Sequence, residues 1–306
     1  MISCSFSTLY LYLEHQNFIR MKFFLLTTDH RNDRLLFQDD EDFQVAMNYV
    51  AVAACVLNIN VLAFILMSNH VHFVLQSTRS EAKEFIDKFK QLYGHHYYKK
   101  YNVRGSLRRL GVDIKELYIE DGSLHRGIAY TQMNCVAANI TPSPLVYPWG
   151  TGDIFFNASS TEGTKLGFLS GREQSRALKS NVKLPGNYIL CSKGYVLPKC
   201  YVPFRFVESL FRSPSRYSYF LKNSSKARLH TEKEAAPSFR DQIVRQAMTD
   251  LILSLFRETS INNLNQEQKA ELMRQMHRRF SCDVKQLART SGLPLTEVEE
   301  LINGFY

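Results

Sequence analysis

Two histidines one residue apart open the chemistry of this chain: His70 and His72, in the run MSNHVHFVL at 67–75. In a strand, side chains at i and i+2 share a face, so both imidazoles would project together while Val71 turns to the core. Such a pair can grip one divalent ion. By softness imidazole suits Mn²⁺, Zn²⁺, Co²⁺ or Ni²⁺, and it tolerates Mg²⁺ when oxygen ligands assist. The plainer alternative is a surface strand carrying two solvated histidines, and spacing alone does not separate the two. Tyr130 and Asn134 lie four apart in GSLHRGIAYTQMNCVAANI, 122–140. On a helix they share one face, so a phenol and an amide oxygen could enter one site. The same spacing equally suits a tyrosine at the edge of a core.

The elements that must position these residues follow from periodicity. KFFLLTT at 22–28 predicts a strand. The acidic run Gln38-Asp39-Asp40-Glu41-Asp42 suits the first turn of a helix, where carboxylates cap N–H groups and meet the positive end of the dipole. That helix is expected over 40–57, with Phe43, Met47, Val50, Ala54 and Leu57 at helical spacing. NVLAFILM at 60–67, Ser68-Asn69 as turn, and HVHFVLQS at 70–77 predict a β-hairpin. A long amphipathic helix follows from Glu81 to about Tyr101, and a further helix from an N-cap at Ser123 to about Asn139. Residues 151–260 give no assignable pattern beyond a helix at 237–258. Helices at 265–279, 283–290 and 294–303, with a Thr290-Ser291-Gly292-Leu293 turn, have the layout of a helix-turn-helix. Its candidate recognition helix is 294–303, and Arg278, Arg279, Lys285 and Arg289 could touch a DNA backbone. Glu297, Glu299 and Glu300 oppose phosphate contact there.

Between the histidine strand and the tyrosine helix runs QLYGHHYYKKYNVRGSLRR, 91–109. Lys99, Lys100, Arg104, Arg108 and Arg109 could meet phosphates, and Tyr97 and its neighbours could stack on unpaired bases. A solvated basic face with the tyrosines packed beneath explains the pattern equally. Tyr93, Tyr97, Tyr98 and Tyr101 are rival nucleophiles. His95 and His96 are poor joint ligands, since adjacent helical side chains diverge by about 100°.

Composition bounds the partners. The 306 residues carry a formal net charge of +9 and a pI near 9.2, which favours an anionic partner such as nucleic acid. Six scattered cysteines, none in a Cys-x-x-Cys pair, exclude a zinc knuckle or dithiol motif and read as reduced thiols. The most membrane-like stretch, 46–67, is broken by Asn48, Asn58 and Asn60, so no membrane span is expected. The first residues lack a basic n-region and a cleavage site, and Met21 is a second plausible start. Residues 1–20 are therefore expected to be an N-terminal extension.

FILMSNHVHFVL, the Tyr-x-x-x-Asn helix and YPWGTG at 147–152 together resemble the single-tyrosine HUH transposases. The likeness is to their REP-associated tyrosine transposase branch, and it covers about 21–150. The resemblance implies an α+β, ferredoxin-like domain with a central antiparallel sheet, followed by a mostly helical region ending in the helix-turn-helix. The resemblance, joined to the patterns above, divides the chain into an N-terminal extension (1–20), a catalytic domain (21–150), an unassigned linker or accessory region (151–260) and a helix-turn-helix-like DNA-binding module (261–306). It makes His70, His72 and Asn134 ligands of a divalent metal, Mg²⁺ or Mn²⁺, and Tyr130 the nucleophile. Implied partners are single-stranded or hairpin DNA, with duplex DNA at the C-terminal module. The chain would be monomeric or homodimeric, and cytoplasmic at the nucleoid. Where the family often has Asn-Pro-x-Arg-Ala, this chain has Asn134-Cys135-Val136-Ala137-Ala138. Where it has Gly-Thr-Leu-Trp, this chain has Gly105-Ser106-Leu107-Arg108. Those departures bear on DNA contacts before chemistry.

The implied reaction is metal-dependent cutting and joining through a 5′-phosphotyrosine. A phenol of pKa near 10 costs about 4 kcal/mol to ionise at pH 7, which a divalent ion can offset by steadying charge on the phosphate. The alternative is a catalytically silent DNA-binding relative that recognises repeat hairpins. A His-x-His hydrolase or deaminase would need a cysteine pair and a glutamate partner that the chain lacks.

Overall fold

The computed structural model describes residues 22–31, 34–104, 107–138, 140–157, 162–229, 239–280 and 282–304. The expected extension, 1–20, lies outside the described residues. β1 (Lys22–Thr28), α1 (Asp40–Leu57), β2 (Asn60–Met67), β3 (His70–Ser77), α2 (Arg79–Tyr101) and β4 (Val112–Leu117) form a βαββαβ unit. Its sheet runs β2-β3-β1-β4 with every pairing antiparallel. That is the ferredoxin-like α+β arrangement expected. A mostly helical C-terminal region follows it, as expected.

Alternation on β3 sorts its side chains between two layers. Phe73 packs edge-on against Phe85 and Phe89 of α2. His70 and His72, of opposite parity, face the other way, toward α3 (Ser123–Ala137). Both faces of β3 are covered, so all eight of its residues are buried. The alternative of a surface strand with two solvated imidazoles does not hold: a helix lies over them.

Local signals explain the helices. Asp39 caps α1, accepting from the Asp42 N–H at 3.0 Å, and Asn58 ends it in the left-handed region. Thr78 and Glu81 form a capping box for α2. Ser123 does not cap α3 as predicted. Gly122 is the N-cap, at φ 71°, while the Ser123 hydroxyl accepts from the Tyr118 N–H and Asp121 accepts from the Ser123 N–H.

YPWGTG closes the outer edge of β2. Leu66 N–H donates to the Trp149 carbonyl, Thr151 N–H to that of Phe64, and the Tyr147 hydroxyl to that of Leu66. An otherwise open strand edge is thereby covered. Trp149 stacks on Phe43 with centroids 4.9 Å apart. Gly150 bridges Ile65, and a Cβ there would fall 2.6 Å from the Phe64 carbonyl oxygen. Gly150→Ala is therefore expected to lose about 1–3 kcal/mol of stability, read as a lower midpoint in urea with an unchanged slope.

Packing against the sheet continues past residue 150. Ile154, Phe155, Tyr195, Val202, Val207, Phe211 and Tyr217 belong to the same core as the sheet. A two-strand ribbon pairs β5 (Thr164–Lys165) with β6 (Ile189–Leu190), and Leu166, Leu178 of α4 (Gly171–Leu178), Leu184 and Val196 pack with Ala51 and Val52 of α1. Asn48, which interrupts the apolar stretch in the sequence, donates to the Ala177 and Gly194 carbonyls and accepts from the Val196 N–H. α5 (Phe204–Phe211) and α6 (Pro214–Leu229) back α3, where His125 Nε2 lies 3.0 Å from the Leu210 carbonyl. The region expected to be accessory thus holds the tyrosine helix in place.

A second hydrophobic core lies toward the C-terminus. It takes in Val244, Met248 and Leu251 of α7 (Asp241–Leu251) with α8 (Gln266–Phe280), α9 (Val284–Ser291) and α10 (Leu295–Asn303). Gly292 turns α9 into the loop before α10 at φ 79°, as the sequence predicts for a helix-turn-helix. No described helix is long and apolar enough to cross a membrane, and no disulfide joins the described cysteines.

Candidate active site at the histidine strand

α3 delivers Tyr130 and Asn134 onto the sheet face that carries the histidines. Its approach is close because Gly127 lacks a side chain: a Cβ there would sit 2.7 Å from Leu117 of β4. The Tyr130 ring meets that of His72 edge-on, centroids 5.3 Å apart. His72 and His70 are perpendicular, at 4.8 Å. Asn134 Oδ1 lies 3.5 Å from His70 Nε2. The four residues paired by spacing in the sequence therefore converge on one place. His70, His72 and Asn134 are buried there, and Tyr130 is half-buried.

The hydrogen bonds around the site fix which atoms carry lone pairs. Asn69 Nδ2 donates to the Arg31 carbonyl, so its Oδ1 is the acceptor facing His70 Nδ1 at 2.8 Å. In the neutral ring the proton then sits on Nδ1 and the lone pair on Nε2. Asn134 Nδ2 donates to the Tyr130 carbonyl at 3.0 Å, which turns its Oδ1 toward that same Nε2. Two lone-pair atoms then face each other at a separation too long for a good hydrogen bond. His72 Nδ1 lies 2.9 Å from the Thr27 hydroxyl. In both rings Nδ1 is the nitrogen engaged by the protein, the pattern that orients metal-binding imidazoles.

This donor set, two imidazoles and one amide oxygen, fits a divalent ion that also holds water or phosphate oxygens. Among the described residues no three His, Cys, Asp or Glu side chains cluster as a metal site, so an amide would have to serve as the third protein ligand.

Beside Tyr130 opens a cleft of about 560 Å³ lined by His30, Asp113, Lys115, Ser123 and Arg126. His30 stacks on His70, centroids 3.9 Å apart. Sequence reading missed His30, Lys115 and Arg126. Arg126 precedes Tyr130 by one helical turn, a spacing that could have found it. Nothing local signals His30, which reaches His70 only because β1 pairs with β3.

The basic-aromatic stretch divides differently from expectation. Tyr97 is buried, accepting from Gln38 Nε2 and donating to the Leu35 carbonyl, so no base can stack on it. Tyr93 is likewise buried and donates to the Leu36 carbonyl at 2.6 Å. Both lie on α2, across the sheet from His70, which removes them as nucleophiles. Lys100 is held by Asp39, Glu41 and Asp42. Burial alone would lower its pKa, yet these carboxylates raise it above the lysine range, so Lys100 is a structural cation. His96 pairs with Asp42 at 3.0 Å. Lys99, Arg104, Arg108 and Arg109 are exposed, Arg104 lying over the Tyr98 ring. Arg108 and Arg109 precede Gly111, whose carbonyl accepts from the Asp29 N–H at the sheet end that bears His70. Arg289 is the last correction: its guanidinium forks onto the buried Asp241 at 2.8 and 3.1 Å, away from any DNA-facing role.

No family model and no curated protein matches the chain. Among solved structures, that of a REP-associated tyrosine transposase bound to a REP hairpin aligns over 56% of this chain and 93% of that one, at 13% identity and a TM-score of 0.33.

Proposed function

We propose that the chain is a metal-dependent, single-tyrosine DNA nuclease and strand transferase acting on single-stranded or hairpin DNA. The observation that carries the reading is the convergence of His70, His72, Asn134 and Tyr130, with the lone pairs of His70 Nε2 and Asn134 Oδ1 turned toward each other. In this reading Tyr130 Oη attacks the scissile phosphorus, the P–O3′ bond breaks, and the 3′ oxygen leaves as a hydroxyl. The phosphotyrosine keeps the phosphodiester energy, so a 3′-OH can reverse the step and join strands without ATP. Bound at His70, His72 and Asn134, Mg²⁺ or Mn²⁺ would polarise the phosphate and steady its developing charge. Asn69 and Thr27 hold the two imidazoles in orientation. Phosphoryl transfer depends mainly on positioning and electrostatics, so few residues suffice. Lys115 and Arg126 border the cleft where flanking phosphates would lie, and Lys99, Arg104, Arg108 and Arg109 are the further cations offered to the strand. The helix-turn-helix would add a duplex contact, through Lys285, Arg278 and Arg279 rather than Arg289.

The test is an adduct assay with labelled hairpin-forming single strands, in Mn²⁺ or EDTA. A slow-migrating, protease-sensitive band that requires metal is the expected result. DNA binding with no adduct across a broad hairpin library would replace this reading with that of a silent DNA-binding relative. His70→Ala should weaken Mn²⁺ binding by at least about tenfold, the scale of lost metal-site interactions, measured by calorimetry. Unchanged affinity would remove His70 from the ligand set.

A further inference from the structure

The turn that presents His70 is unusual. Only Ser68 and Asn69 separate β2 from β3. Two-residue hairpins ordinarily hold themselves with residues at positive φ, as in Asn-Gly turns. Neither Ser68 nor Asn69 has positive φ. What holds this turn is tertiary. Leu36 N–H donates to the Ser68 carbonyl at 2.7 Å, and Arg31 N–H to that of Asn69 at 2.9 Å. The Ser68 hydroxyl donates to a carboxylate oxygen of Asp241, from the start of α7.

Asp241 is 3% exposed and belongs to the C-terminal unit. Its carboxylate also receives Arg289 in bidentate fashion and Gln286 Nε2 at 2.8 Å, both from α9. A buried charge persists only when fully partnered, and here one of the partners is the hydroxyl of the histidine turn. A continuous polar path therefore runs from α9 through Asp241 and Ser68 to Asn69, whose side chain fixes the His70 tautomer. The neighbouring contacts of α7, Gln242 to the Phe37 carbonyl and Arg240 to Asp40, dock the unit but do not touch the turn.

We propose that Asp241 is a positioning residue for the histidine site: through Ser68 it sets the Ser68–Asn69 turn and hence the orientation of His70. The C-terminal helical unit is then part of the site's construction and not only a tethered DNA reader. The consequence for metal rests on the reading of His70 as a ligand. The consequence for the turn does not.

The experiment uses the full chain, ¹⁵N-labelled and deuterated, as wild type, Ser68→Ala, Ser68→Thr, Asp241→Asn and Arg240→Ala. Two quantities are read: the side-chain amide signals of Asn69, and the affinity for Mn²⁺ alone. Ser68→Ala and Asp241→Asn are expected to shift the Asn69 amide signals and weaken Mn²⁺ binding about 10–100-fold, the range for residues that orient ligands. Ser68→Thr, which keeps the hydroxyl, restores both. Arg240→Ala, which loosens the same docking surface elsewhere, changes neither. Asn69 signals at their wild-type positions in Ser68→Ala and Asp241→Asn would overturn the proposal, as would Ser68→Thr behaving like Ser68→Ala. A wild type that binds no Mn²⁺, while the Asn69 signals still move in the variants, would overturn the ligand reading and support the brace.

Discussion

Tyr130→Phe is expected to abolish covalent adduct formation, by at least about a thousandfold, while leaving the fold and DNA affinity nearly intact. The substitution deletes one oxygen from a half-buried ring. Its edge-on contact with His72 depends on the ring, which phenylalanine keeps. Stability should therefore change by no more than about 1.5 kcal/mol, the ordinary scale of one hydrogen bond. Under the proposed function the chemistry has no such tolerance, because the Tyr130 oxygen is there the nucleophile and, among the described residues, no second phenol lines the cleft. Tyr93 and Tyr97 cannot substitute, being buried on α2 on the far side of the sheet. A gel of wild type and variant with hairpin DNA and Mn²⁺, beside an affinity measurement, decides the matter. An undiminished adduct in Tyr130→Phe would move the nucleophile to another residue. A parallel loss of DNA binding would make Tyr130 a binding residue.

Asp42→Ala should bring the largest loss of stability of any single change considered, about 3–5 kcal/mol, the scale for breaking a buried charge cluster from one side. The Asp42 side chain is fully buried at the start of α1. One oxygen faces His96 and Lys100 at 3.0 and 3.1 Å; the other accepts from the Gln38 N–H and the Tyr101 hydroxyl, both at 2.8 Å. Removing the carboxylate leaves these donors unmet and uncouples α2 from α1. Burial alone would raise the Asp42 pKa, but the hydrogen bonds and Lys100 prevail and lower it. A carboxylate whose folded pKa is depressed contributes stability that is fully present above its unfolded pKa, near 3.9, and lost as pH falls through the folded value. The stability gap between wild type and Asp42→Asn should therefore be constant from pH 7 to about 5 and narrow below about 4. Urea titrations across that range measure it. A gap that widened on acidification would mean that Asp42 is not held ionised.

The sequence by itself determined the first three strands, the helices α1 to α3, the C-terminal helices and the pairing of the chemical residues. Period-two alternation put His70 and His72 on one face of β3, and helical spacing put Tyr130 and Asn134 on one face of α3. The Asp39 cap fell within the acidic run, and the Gly292 turn within Thr290–Leu293, as their residue types predict. Each of these signals is encoded within a few residues, because it reflects local backbone geometry. The βαββαβ order then admits few sheet arrangements. Only the tertiary structure decided which charges are offered to solvent. Lys100 reads as a phosphate contact until Asp39, sixty-one positions earlier, is seen to hold it. Arg289 reads as a DNA contact until Asp241, forty-eight positions earlier, takes its guanidinium. Tyr97 reads as a stacking ring until α2 turns it inward against Gln38. Residues 151–229 had no legible pattern because their short elements are stabilised by long-range contacts to α1 and α3 rather than by their own periodicity. A cation's role depends on the carboxylate or phosphate that reaches it first, and only the fold brings distant residues within reach.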